Sequence, residues 1–119
     1  MTGTHDICAL VDIPDQQARG FSVECDGEKI DFFIVRNNER VFGYINRCPH
    51  TGVNLDWQPD QFLDLTGYRI QCSTHGALFR IRDGYCVYGP CVGRHLTPVR
   101  LILNNSRIQL IKNLSQNPA

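Results

Sequence analysis

The sequence predicts an all-β domain of eight to ten short strands, small and either closed or sandwich-like, on three observations. No window longer than ten residues carries helical periodicity. Short runs rich in β-branched and aromatic residues recur along the chain. The turn-forming clusters Asn37-Asn38-Glu39, Asp83-Gly84 and Asn104-Asn105-Ser106 separate them. At 119 residues, with 42% hydrophobic composition, the chain suits one domain, residues 1–119, with a real but modest core.

The elements follow in order. Ile7 to Leu10 reads as a short first strand, and the polar segment Asp12 to Arg19 has room for at most a single helical turn. Phe21 to Cys25 is the second strand. Ile30 to Arg36 and Arg40 to Ile45 flank Asn37-Asn38-Glu39 and form a hairpin. Gly67 to Gln71 alternates in the manner of a half-buried strand. Ala77 to Arg82 meets Tyr85 to Tyr88 across Asp83-Gly84, a strong hairpin signal. Val99 to Leu103 and Arg107 to Ile111 make the last hairpin, and the polar end Ser115 to Ala119 frays.

Composition excludes several classes. Twelve basic and twelve acidic side chains leave no net charge, so the basic excess of a nucleic-acid binder is missing. The charges are unevenly spread: residues 1–60 hold ten acidic and five basic groups, residues 61–119 two and seven. This is a hint of steered docking on a charged partner, though a β fold interleaves distant segments. No run approaches the ~20 apolar residues of a membrane span. The opening Met1 to Asp6 has no basic and apolar leader pattern, which makes a cytoplasmic setting the expectation. In a reducing compartment the six cysteines, Cys8, Cys25, Cys48, Cys72, Cys86 and Cys91, are buried thiols or metal ligands rather than disulfides.

Two segments select the ligands: Cys48-Pro49-His50-Thr51-Gly52 and Cys72-Ser73-Thr74-His75-Gly76. Each sets a thiolate and an imidazole donor with one or two residues between them, just after a strand pattern and just before a glycine. Two such loops converging supply two sulfurs and two nitrogens. Zinc accepts that donor set, but the Cys-x2–4-Cys knuckle, His pair and helix of a Cys2His2 finger are all missing. Two Cys-plus-His loops match a two-iron cluster in which one iron takes both thiolates and the other both imidazoles.

On these residues the chain resembles the Rieske-type [2Fe–2S] proteins, specifically the disulfide-free, low-potential ferredoxins that feed oxygenases. The hairpin before Cys48, His75-Gly76-Ala77-Leu78-Phe79, the Asp83-Gly84 turn, Gly89-Pro90 and Leu96 to Val99 all fall in the family's order. The resemblance implies a three-sheet antiparallel domain with the cluster held by two hairpin loops. By it Cys48 and Cys72 would hold the inner iron, and His50 and His75 the outer one. Quinol-oxidising members join their loops by a disulfide, whereas the corresponding places here hold Val53 and Thr74. Ala77 and Phe79 stand where high-potential members have hydroxyl donors to sulfur, which implies a lower potential.

With two thiolates and two neutral imidazoles the oxidised centre is neutral, and one electron makes it −1. Backbone N–H groups around Gly52 and Gly76 are the expected stabilisers of that charge, with Gly89-Pro90 a third, shielding loop. The resemblance implies a one-electron carrier between a flavin-containing reductase and a terminal oxygenase, with no substrate site of its own. The alternative is a small subunit of a larger oxidoreductase such as a nitrite-reductase-like complex.

The remaining candidates carry less. Cys8, Cys25, Cys86 and Cys91 read as buried thiols, with Cys91 positioned to approach the cluster. His95 is a surface or capping group, His5 lies near the terminus, and Asp12 and Asp15 lack a neighbouring base. Arg80 and Arg82 form the wet face of a hairpin. Between His50 and Cys72 stand 21 residues, a long gap for such ferredoxins, with the excess expected in Asn54 to Asp64. There Trp57 and Phe62 either cover the core or form a docking edge.

Overall fold

The computed structural model describes residues 3–25, 27–49, 54–56, 60–72 and 76–112. Among the described residues ten antiparallel strands form three sheets. The first sheet has the order β1-β10-β9, from Gly3–Ala9, Arg107–Lys112 and Leu101–Asn104. The second is β2-β3-β4-β8, from Ala18–Cys25, Glu28–Asn37, Arg40–Ile45 and Pro98–Val99. The third, β5-β6-β7, is built from Arg69–Gln71, Leu78–Arg80 and Cys86–Tyr88. The expected three-sheet, all-β architecture is present.

Strand β3 organises the molecule. Its four consecutive apolar residues Phe32, Phe33, Ile34 and Val35 are all fully buried, because successive side chains point to opposite faces and both faces are covered. Phe32 and Ile34 enter one core with Cys8, Ile13, Ile108 and Leu110 from the first-sheet side. Phe33 and Val35 enter a second with Cys48, Phe62, Cys72, Phe79, Cys86 and Cys91. The second core therefore binds the third sheet and the two cysteine loops to the base of the fold.

Several boundaries differ from the expectation. β1 begins at Gly3, earlier than Ile7, because β10 is long enough to pair with it from Gly3↔Lys112 to Ala9↔Arg107. This makes His5 a strand residue opposite Leu110 rather than part of a loose end. The single helical turn is a 3-10 turn at Leu10–Asp12, and Ala18 and Arg19 are already in β2, opposite Val35 and Ile34. The expected strand Val99 to Leu103 is broken at Arg100. β8 pairs with β4, whereas β9 turns to pair with β10, so this segment hands the chain from one sheet to another. Gly43 makes room for that crossing: a Cβ there would stand 2.5 Å from Val99 Cγ2 and 2.9 Å from Leu101 Cδ1.

The hairpin of the third sheet is also looser than a two-residue turn. Ile81 to Gly84 forms the connection, closed by Gly84 N–H donating to the Arg80 carbonyl at 2.8 Å. Burial of Ile81 pulls this turn inward, and the Tyr44 hydroxyl donates to its carbonyl at 2.5 Å. Arg82 is consequently a turn residue. Asn105 and Ser106 both take positive φ, at 54° and 62°, in the expected last hairpin. The end Ser115 to Ala119 lies outside the described residues.

Candidate metal centre

Both cysteine loops begin where a strand of the second core ends. β4 runs into Asn46, whose N–H donates to the Asp31 carbonyl at 2.9 Å. The Asn46 side chain is itself buried and works in both directions. Its Oδ1 accepts the Leu55 N–H at 2.8 Å and its Nδ2 donates to Asp56 Oδ1 at 3.0 Å. One amide thus joins the chain before Cys48 to the chain beyond Gly52, holding the mouth of the first loop closed. β5 leads to Cys72, whose N–H donates to the Ala77 carbonyl at 2.9 Å, while Gly76 N–H donates to the Cys72 carbonyl at 2.8 Å. The second loop is closed by these two bonds. Gly76 therefore spends its own N–H on closing the loop, and the other amides expected around Gly52 and Gly76, those of residues 51–53 and 73–75, lie outside the described residues.

A third segment lies against both. Gly89 has φ +100°, and a Cβ on it would stand 2.8 Å from Ala77 Cα, immediately after the second loop. Glycine is required there on both counts. Arg94 Nη1 donates to the Pro49 carbonyl at 2.9 Å, tying the same segment to the first loop. The segment around Gly89-Pro90 is thus held against the end of the second loop and the start of the first.

Cys48 and Cys72 have no accessible surface and belong to one buried cluster with Leu55, Ala77, Phe79, Cys86 and Cys91. None of Cys8, Cys48, Cys72, Cys86 and Cys91 forms a disulfide. Two buried thiols at the mouths of adjacent loops are a soft donor pair, the kind that suits iron–sulfur chemistry. Burial pushes the Cys91 thiol up to about 12, helped by its hydrogen bond to Cys86 and then by the charges of Cys86, Cys48 and Cys72. Cys91 is therefore in electrostatic reach of both loop cysteines. His50, Gly52, Val53, Thr74, His75 and Trp57 lie outside the described residues.

The other candidates find structural work. Phe62 is fully buried and stacks on Phe33 with ring centroids 4.3 Å apart, so it covers the core. Phe62 to Asp64 runs beside β5 through the bonds Gln71 N–H to Phe62 carbonyl and Asp64 N–H to Arg69 carbonyl. Asp60 accepts the Gly20 N–H at 2.8 Å. The described part of the long gap is thus stapled to the fold. His95 is exposed and packs edge-on against Tyr85. Asp12 accepts the Ala9 N–H and Asp15 the Asn38 N–H, so both serve turns. Cys8 is buried, and burial raises its thiol first of all. The side chain of Cys25 lies outside the described residues. Arg80 pairs with Asp83 and lies over the Tyr85 ring at 4.8 Å. Asn46, Arg94 and Cys86 were not singled out for the site by the sequence, since their roles depend on partners 9 to 45 residues away or on a turn that brings two thiols together.

Fold and site together define a small all-β domain in which buried Cys48 and Cys72 stand at the mouths of two loops, with a third segment held against both. The family model for the Rieske [2Fe-2S] domain matches residues 4–110, and the chain belongs to that family. It carries the family's cluster-binding domain and is an electron-transfer component. Comparison with curated proteins by sequence yields no significant match.

Among solved structures, the ferredoxin of carbazole 1,9a-dioxygenase from Nocardioides aromaticivorans IC177 is similar. It shares 20% identity over 90% of this chain and 95% of that one, with a TM-score of 0.69. A chain of the complex of reduced oxygenase and oxidised ferredoxin in carbazole 1,9a-dioxygenase gives 20% identity, 92% and 94% coverage, and a TM-score of 0.72. A 2-oxoquinoline 8-monooxygenase component gives 22% identity and 0.73 over 97% of this chain, but this chain spans only 27% of that one. These likenesses concern the fold. A bound [2Fe–2S] centre supplies reversible one-electron chemistry. The described residues bury Cys48 and Cys72, close the loops and bring Arg94 to Pro49. Among the described residues no helix is long and apolar enough to cross a membrane.

Proposed function

We propose that Cys48 and Cys72 hold the inner iron and His50 and His75 the outer one. The protein then passes single electrons from a flavin-containing reductase to a terminal oxygenase in the cytoplasm. The observation that carries this reading is the burial of Cys48 and Cys72 in one core, at the mouths of loops that also carry His50 and His75. The likeness of its fold to the ferredoxin of carbazole 1,9a-dioxygenase supports the carrier reading. Ala77, buried under Gly89, and Phe79 offer no hydroxyl to sulfur, which favours a potential in the lower part of the Rieske range.

The test is electron paramagnetic resonance of dithionite-reduced protein, with iron and acid-labile sulfide counted per chain. The expected result is a rhombic signal of low average g from one two-iron cluster. A silent, colourless zinc protein would end the reading. His50→Cys and His75→Cys should each alter or abolish the signal. Persistent co-elution of the native protein with a large oxidoreductase would replace the shuttle by a resident subunit.

A further inference from the structure

Cys86 opens β7 and Cys91 follows in the next turn, and the chain between them bends back so that their sulfurs stand 3.0 Å apart. Neither thiol is exposed, and the Cys86 thiol also reaches the Tyr88 carbonyl at 3.3 Å. The segment is closed by Cys86 N–H to the Arg94 carbonyl at 2.8 Å and Arg94 N–H to the Cys91 carbonyl at 2.9 Å. Its middle, Gly89, rests on Ala77, and its end, Arg94, bonds to Pro49. Among the described residues no third metal-binding side chain joins the pair, so it is not itself a metal centre.

We propose that Cys86 and Cys91 are a redox-responsive dithiol that closes to an intramolecular disulfide, fixing the third loop against both cysteine loops. The step is thiol–disulfide exchange with a low-molecular-weight disulfide. One cysteine sulfur bonds to a sulfur of that disulfide and releases one thiol. The second cysteine then attacks the mixed disulfide, forms the Cys86–Cys91 bond and releases the other thiol. Both cysteine protons end on the released thiols; the protein pair is oxidised and the small disulfide reduced. Burial makes thiolate scarce at Cys91, so the reaction is slow and waits on opening of the turn. The pair differs in this from an exposed sensor cysteine: it responds to sustained oxidation. Cys48 and Cys72 are outside the exchange.

The experiment uses the cluster-loaded protein and oxidised glutathione, followed by denaturation in alkylating reagent, tryptic digestion and mass spectrometry. Cleavage after Arg82 and Arg94 places both cysteines in one peptide. The expected product is that peptide two hydrogens lighter and without alkyl groups, restored by dithiothreitol. Cys91→Ser should instead leave Cys86 glutathionylated or alkylated. Full alkylation of both after prolonged treatment would overturn the proposal. So would separate glutathionylation of each, or pairing of either with Cys48 or Cys72. The readout is the state of two sulfurs, so it fails or succeeds apart from the ligand assignment.

Discussion

The base of the molecule and its metal-binding end are held by different means. At the base, β1, β2, β3, β4 and β10 are six to ten residues long, and their ladders enclose a core of Phe32, Ile34, Ile13 and Ile108. At the other end β5, β6 and β7 have three residues each. So few ladder bonds do not hold three loops. What does is a set of single contacts: the Asn46 amide, the Cys72–Ala77 closure, Gly89 on Ala77, Arg94 on Pro49 and Tyr44 on Ile81. A scaffold that folds on its own apolar area thus presents a site whose order depends on local closure and on the metal.

The largest expected effect separates the two ends directly. Cys48→Ser or Cys72→Ser should abolish the cluster's visible absorption and its paramagnetic signal while the far-ultraviolet β spectrum persists. Amide exchange should rise strongly in β6 and β7 and little in β3. Equal loss of protection in both regions would mean that the base has no independent stability. Next come paired truncations. Phe32→Ala and Phe79→Ala each remove a fully buried ring, at a cost of about 3–5 kcal/mol. Phe32→Ala should lower the melting temperature of protein whose iron content is unchanged, whereas Phe79→Ala should lower both.

This division also explains what was legible in the chain. The Arg40 to Ile45 strand, the last hairpin and the two cysteine loops were readable because their signals are local: residue type, turn residues and short spacing. The break at Arg100 was not, because Val99 to Leu103 is uniformly strand-forming. Only the partners β4 and β10 divide it. The run Phe32 to Val35 was readable as strand, but its place between two cores was not, since that depends on which sheets cover its faces. Asn46 and Arg94 escaped for the same reason. A polar residue after a strand acquires a role only when a loop returns to it.

Two glycines sharpen the comparison at a smaller scale. Gly27, in the β2–β3 turn, has φ +82° with open space where a Cβ would stand, so Gly27→Ala meets the left-handed backbone penalty alone, about 1–2 kcal/mol. Gly89→Ala meets a similar penalty and also a contact with Ala77 Cα, a backbone atom that has little freedom to yield. Its cost should exceed that of Gly27→Ala. It should also shift the reduction potential, by moving the third loop off the second, while Gly27→Ala leaves the potential unchanged. Chemical denaturation and a redox titration of both variants check this.

The smallest effect expected is electrostatic, and each end supplies one pair. At the base Arg107 bonds to Asp6 across β10 and β1, and at the other end Arg80 bonds to Asp83 within its hairpin. Each guanidinium, through its hydrogen bonds, holds its carboxylate below the ordinary value of 3.8. The folded pKa is depressed in both, so each contributes stability above the unfolded carboxylate range. That contribution is lost as pH falls through the folded value. Both pairs are exposed and screened, so the losses are small and shrink further in salt. Asp6→Asn should flatten the acid limb of thermal stability and leave the paramagnetic signal as it was. Asp83 also accepts the Tyr85 N–H at 3.0 Å, in the turn whose Ile81 carbonyl receives Tyr44. Asp83→Asn should therefore flatten the same limb and in addition loosen the hairpin that follows the second cysteine loop, read as faster amide exchange at Tyr85 and Cys86. Identical exchange in the two variants would show that the hairpin draws its order from the core side of Ile81 and Phe79 rather than from its exposed turn.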